Sequence, residues 1–169
     1  MASAGQSTDN GTVPGVDPHV TIELLSQPRY LSGARDLVAA VSKRFGFNDS
    51  DCGRISLAVD EALCNVIRHG YDRSPDGRIW VRVWPIEEGG EKPAGICVVI
   101  DDEAAQVDPT IIKGRDLDDV RPGGLGVYIM REVMTSVHFE RRSGQDMGMR
   151  LVMTKLIDDQ SEKAARHGS

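Results

Sequence analysis

Apolar and polar positions alternate at the start of the patterned part of the chain. Val20, Ile22 and Leu24 are interleaved with Thr21 and Glu23. A period of two places alternate side chains on opposite faces, so the stretch is predicted as a half-buried strand, broken at Pro28. The period then lengthens. Leu31, Ala34, Val38, Val41 and Phe45 recur at spacings of three and four and predict one helix over about 30–45, ended by Gly46. Asn48 to Asp51 offer N-cap oxygens for a second helix. That helix runs to about residue 69, with Ile55, Ala58, Ala62, Val66 and His69 on one stripe and Gly70 closing it.

RIWVRVWPI returns to a period of two, with Ile79, Val81 and Val83 on one face and Trp80 and Trp84 on the other, the tryptophans read as sheet packing. After the turn-rich EEGGEKPAG, the segment ICVVID is apolar on both faces and reads as an interior strand. Residues 103–123 then lose all sustained period beyond a short turn near Thr110–Lys113. A compact domain carries such a stretch mainly where it is functional or mobile. A glycine-rich turn leads into a helix at about 124–134, and strands at about 135–142 and 147–156 finish the pattern, the last with Met149, Leu151 and Met153 alternating. Runs of strands beside separate helices imply an α+β fold in two layers, one sheet covered by helices on one face.

Composition narrows the function class. Residues 1–17 are rich in small and polar residues and are expected to be a disordered tail; residues 158–169 are expected to be a flexible one, leaving a domain over 18–157. The net charge of −6 argues against direct binding of nucleic acid, which favours a basic surplus. No apolar run approaches the roughly 18 residues of a membrane helix, and the N-terminus has no basic start or apolar stretch of a leader. Cys52, Cys64 and Cys97 sit at no metal-ligand spacing and are read as reduced thiols of a cytoplasmic protein.

Three segments could carry chemistry. In DEALCNVIRHGYD, residues 60–72, Glu61 and Asn65 are four apart on a predicted helix and project side by side. A carboxylate can take a proton from a nucleophile, and an amide oxygen suits Mg²⁺, which takes few protein ligands. IDDEAAQVDP, residues 100–109, sets acidic groups at the end of a buried strand, where they could accept from the exocyclic amine of a base. RPGGLGVYIM, residues 121–130, opens a helix with glycines, whose N–H groups can approach an anion closely. It is neither a Walker A loop nor a dinucleotide fingerprint. Each segment alone also has an ordinary reading: a solvated helix face, a loop start, a glycine turn. Their order is far more specific than any one of them.

In that order the chain resembles the short serine-kinase branch of the GHKL ATPase superfamily, which includes the anti-sigma-factor kinases of bacterial partner-switching systems. The first segment is similar to the family's N box throughout, as Glu61, Ala62, Asn65, His69, Gly70 and Tyr71. The third is similar to its second glycine box, as Gly123, Gly124, Leu125 and Gly126, and GMRLVMTK, residues 148–155, resembles the final strand. The resemblance covers roughly residues 20–156. It implies a Bergerat-type fold: a mixed, mostly antiparallel sheet, helices on one face, and ATP between the helices and a lid loop at 103–122. It further implies Glu61 as general base, Asn65 as the Mg²⁺ ligand, Asp102 as acceptor from the adenine amine, and Gly124 and Gly126 as phosphate donors. Arg121 would add charge near the terminal phosphate. The implied activity is protein-serine kinase and anti-sigma regulator, phosphorylating a small STAS-type anti-anti-sigma protein and sequestering a sigma factor, with a homodimer expected from the family.

One segment departs from the family pattern. Its first glycine box carries two glycines after the aspartate, and here Ala104 and Gln106 fill both places. If the backbone there needs a positive φ, each costs on the order of 1 kcal/mol or more, and 1.4 kcal/mol is tenfold in binding. The alternative is therefore a degenerate relative that binds proteins with weak or no ATP binding and no kinase activity.

Overall fold

A computed structural model of the chain describes residues 12–112 and 124–157. The elements are β1 (Val20–Leu25), α1 (Leu31–Phe45), α2 (Asp49–Asn65), β2 (Arg78–Ile86), β3 (Gly95–Asp102), α3 (Leu125–Val133), β4 (Ser136–Arg141) and β5 (Met149–Leu156). One-turn 3-10 segments occupy Pro28–Tyr30 and Pro109–Ile111, and a π-helical turn, Val66–Gly70, prolongs α2. The strands form one five-stranded sheet in the order β1-β2-β3-β5-β4. All four pairings are antiparallel, so the expected mostly antiparallel sheet is wholly antiparallel among the described residues.

The helices pack on one face of the sheet. Leu31, Ala34 and Val38 of α1 and Ile55, Ala58 and Ala62 of α2 are buried with Val127 and Met130 of α3. They meet Ile79, Val81 and Val83 of β2, Ile96, Val98 and Ile100 of β3, and Leu151 and Met153 of β5. Each fully buried Val, Leu or Ile there contributes about 1.5–3 kcal/mol. Helix boundaries follow local chemistry. Gly46 turns the chain in a left-handed conformation after α1, and the Asn48 side chain accepts from Asp51 N at 2.8 Å to cap α2. Asp49 and Asp51 add favourable charge to the first turn of α2.

The opposite face carries a smaller cluster of Trp84, Ile86, Cys97, Val99 and Val152. Val13 packs on it, and Trp84 Nε1 donates to Val16 O at 2.8 Å. Residues 12–17, the part of the expected N-terminal tail that is described, thus lie on this face. The tryptophans are sheet packing as read from the alternation: Trp84 is buried, and the Arg142 guanidinium lies 5.4 Å from the ring centre of half-buried Trp80. Among the described residues no helix is long and apolar enough to cross a membrane.

Candidate active site

The site is built where α2 meets the start of α3. Glu61 and Asn65 lie one turn apart near the end of α2 and are both half-buried. Gly126, in the first turn of α3, lies directly against them. A Cβ placed on Gly126 would come 2.6 Å from Glu61 Oε2 and 3.3 Å from Asn65 Nδ2. Only a residue without a side chain lets α3 approach so closely, and this contact sets the carboxylate and the amide at the N-terminal end of α3. Gly124 precedes the helix in a left-handed conformation, φ 89°, which suits glycine and leaves the first N–H groups of α3 unencumbered. Leu125 exposes its side chain to solvent. Arg121, Gly123 and most of the expected lid lie outside the described residues.

Asp102 ends β3 on the other flank and is buried. Its Oδ1 accepts from Ala104 N at 2.8 Å and Met149 N at 3.1 Å. Among the described residues no donor reaches Oδ2, the second oxygen of this buried carboxylate. Burial pushes the carboxyl above its ordinary range, against the pull of the Met149 and Ala104 N–H groups. The neighbouring Asp101 points to the opposite face and is also buried. Burial alone would raise it, but Arg150, in a two-bond contact at 2.7 and 2.9 Å, and Arg82 together hold it below its ordinary value.

The loop after Asp102 is tied on both sides. The Tyr71 hydroxyl accepts from Glu103 N at 2.8 Å. Arg142 Nη1 donates to Asp102 O at 2.8 Å, Gly148 N to Ala104 O at 2.7 Å, and the Gln106 amide to Gln145 O at 3.0 Å. Ala104 is buried, its Cβ 3.1 Å from where a Cβ on Gly70 would stand. Among the described residues only Asp72 and Arg73 combine a side chain with positive φ. The strain that would follow from filling the first glycine box is therefore absent at Ala104 and Gln106.

The family model described as a histidine kinase-like ATPase domain matches residues 24–155. The chain belongs to this family. Among curated proteins, a serine-protein kinase RsbW of Listeria monocytogenes is 27% identical over 143 residues, covering 83% of this chain and 88% of its own. That of Bacillus subtilis is 24% identical over 148 residues, covering 83% and 86%. As a histidine kinase-like ATPase domain the protein uses ATP, and the geometry accommodates it: a buried carboxylate at Asp102 whose Oδ2 meets no donor among the described residues, and a glycine cradle at Gly126. Among the described residues no group of three or more His, Cys, Asp or Glu could hold a metal, so a Mg²⁺ ion here would depend on nucleotide phosphates for most of its charged ligands.

In this ATPase domain the fold departs from the sequence reading at two points. His69 is exposed rather than on the apolar stripe of α2. Its turn is π-helical, closed by Tyr71 N donating to Val66 O at 2.9 Å, and the extra residue rotates the histidine off the stripe. Sequence reasoning also gave no role to Tyr71, Arg142 or the turn before β5, which hold the Asp102 loop. Their contribution is made by hydrogen bonds between side chain and backbone across 32 to 47 residues, which periodicity does not reveal.

Proposed function

We propose that this ATPase domain is a protein-serine kinase that transfers the γ-phosphoryl group of ATP to a serine of a small partner protein. The observation that carries the reading is the convergence of Glu61 and Asn65 on Gly126 at the start of α3. Glu61 takes the proton of the attacking serine hydroxyl. As the serine oxygen bonds the γ-phosphorus, the bond to the bridging oxygen breaks and its electron pair leaves with ADP. Backbone N–H groups at the start of α3, from Gly124 and Gly126, face the phosphates, and the helix end favours their charge. Asp102 accepts from the adenine amine through Oδ2. Asn65 would hold Mg²⁺, which supplies neutralising charge to the phosphates when bound. By the family resemblance Gly123 belongs to the same glycine box and Arg121 would add charge near the terminal phosphate.

The kinship with serine-protein kinases of the RsbW type supports a partner-switching role in the cytoplasm. In that reading the substrate is a STAS-type anti-anti-sigma protein, a sigma factor is the sequestered client, and the kinase is a homodimer. A phosphate added to a packed interface drives it apart by charge and desolvation. The test is transfer of labelled γ-phosphate from Mg-ATP to such a partner. Serine labelling by the wild type that Glu61→Gln abolishes, with ATP binding retained, is the expected result. Labelling undiminished by Glu61→Gln would remove the carboxylate from the reaction. The second reading, a protein-binding relative that handles ATP poorly, rests on Ala104 and Gln106 standing in place of the family's two glycines, although neither has a positive φ. Failure of the folded wild type to bind ATP in calorimetry would select it.

A further inference from the structure

The β2–β3 ladder stops one pair early, and a side chain stands in the gap. The last paired residues are Ile79 and Asp102. The next pair in register would be Arg78 and Glu103, joined by a hydrogen bond from Glu103 N to Arg78 O. Instead the Tyr71 hydroxyl stands between these two atoms. It accepts from Glu103 N at 2.8 Å and donates to Arg78 O at 2.5 Å, using both of its hydrogen-bonding functions on backbone. The ring is fixed as well. Gly77 lies against it, so closely that a Cβ there would be 2.5 Å from three ring atoms, and the Tyr71 N–H closes the π-helical turn. The phenol therefore works as a spacer of set length at the point where β3 delivers Asp102.

We propose that Tyr71 is a positioning residue for recognition of the base. By holding the strands apart after Ile79 and Asp102, it sets the direction in which the chain leaves β3 and aims Asp102 Oδ2 into the site. The proposal rests on the reading of Asp102 as the acceptor for the adenine amine. On the far side the loop is already fixed by Arg142 on Asp102 O and Gly148 on Ala104 O. The Tyr71 hydroxyl is the matching restraint on the near side. Without it, Glu103 N can close directly onto Arg78 O, lengthening the ladder by one pair and turning Asp102 with it, or bond to water and let the loop drift.

The test is the ratio of ADP to GDP affinity, measured by calorimetry on the full chain with Mg²⁺. A carboxylate that accepts from the adenine amine repels the carbonyl oxygen that guanine carries at the same place, so the wild type prefers ADP. Tyr71→Phe keeps the ring on Gly77 and frees two backbone groups of exposed residues, Arg78 and Glu103. It is expected to weaken ADP about tenfold, or about 1.4 kcal/mol, to leave GDP within twofold, and to shift the melting temperature little. Glu103→Pro removes the donor of the same bond with Tyr71 in place. It is expected to narrow the ratio similarly and serves should the phenylalanine variant fail to fold. An unchanged ratio in the folded variants overturns the positioning role. Asp102→Asn separates the two failures. If it collapses the ratio while Tyr71→Phe does not, the spacer is wrong and the base reading stands. If it leaves the ratio intact, the base reading falls and the proposal with it.

Discussion

The two flanks of the site reach the same end by opposite means. On the α3 flank the chain gives up side chains: Gly126 sits where any Cβ would strike Glu61 and Asn65, and Gly124 takes a left-handed turn. On the β3 flank the residues keep their side chains and the backbone is tied down from neighbouring elements. Ala104 is buried beside Gly70, Gln106 reaches Gln145 O, and Tyr71 and Arg142 hold the residues on either side of the Asp102–Glu103 peptide. The first solution is set by one residue type at one position and has no substitute. The second is distributed over several bonds and does not depend on glycine at either position. Glycines missing from a glycine motif therefore remove function only where close approach depends on them.

The sharpest way to test that difference is to add one methyl group to the α3 flank. Gly126→Ala places a Cβ 2.6 Å from Glu61 Oε2. Phosphotransfer is expected to fall at least about a hundredfold, the cost of misplacing a reacting group by about 1 Å. Alanine's better helix propensity, about 1 kcal/mol, offsets part of any loss in stability. A rate assay beside a thermal melt checks both. Glu61→Gln changes no contact size and is expected to lower phosphotransfer by about 10²- to 10⁴-fold, with ATP affinity within threefold by calorimetry.

Next in size is the support behind the tethered flank. Asp101→Asn leaves Arg150 and Arg82 without their buried charge partner and is expected to cost about 3 kcal/mol in urea unfolding at neutral pH. The pH dependence has a definite sign. The folded Asp101 lies below its ordinary 3.8, so its stabilisation is fully present above that value and is lost as the pH falls through the folded one. Asp102 lies above 3.8, so its ionisation penalises the fold increasingly as the pH rises through the folded value. Asp102→Asn keeps an oxygen for Ala104 N and Met149 N. It is therefore expected to gain stability at neutral pH while losing ATP affinity. A loss of stability there would overturn this assignment of the two aspartates.

The smallest effects separate architecture from chemistry. Ala104→Gly restores the family's glycine, yet Ala104 has no positive φ to relieve. ATP affinity is expected to stay within threefold and stability to drop by about 1 kcal/mol; a tenfold gain in affinity would break the comparison. Asn48→Ala removes the cap at the far end of α2. It should cost about 1 kcal/mol, or a few degrees in the melt, with kcat unchanged.

Much of the fold was legible from period alone. Val20, Ile22 and Leu24 mark a strand that ends one residue later, at Leu25, and Leu31 to Phe45 bound α1 as the three-four spacing places it. The Glu61–Asn65 pair was legible because helical spacing guarantees that residues four apart share a face. What the pattern concealed was non-local. The π-helical turn that exposes His69 depends on where Tyr71 must sit, and the ties on the Asp102 loop come from β5, the turn before it and the start of β2. A single glycine column could not tell whether Ala104 is strained, because strain depends on backbone angles fixed by partners distant in sequence.

The π-helical turn at Val66–Gly70 also makes the site sensitive to how the helix is wound. Such a turn holds one residue more than an α-turn needs. Glu61 and Asn65 lie before it, Gly70 and Tyr71 at its end. Removing that residue would leave Gly70 and Tyr71 about where they stand, whereas winding the same residues into a regular α-turn would carry both about the helix axis by about 100°. Glu61 and Asn65 would stay in place under that rewinding while the Asp102 loop lost its spacer. A change of winding, with no residue substituted, would thus divide the site into two halves that no longer face each other.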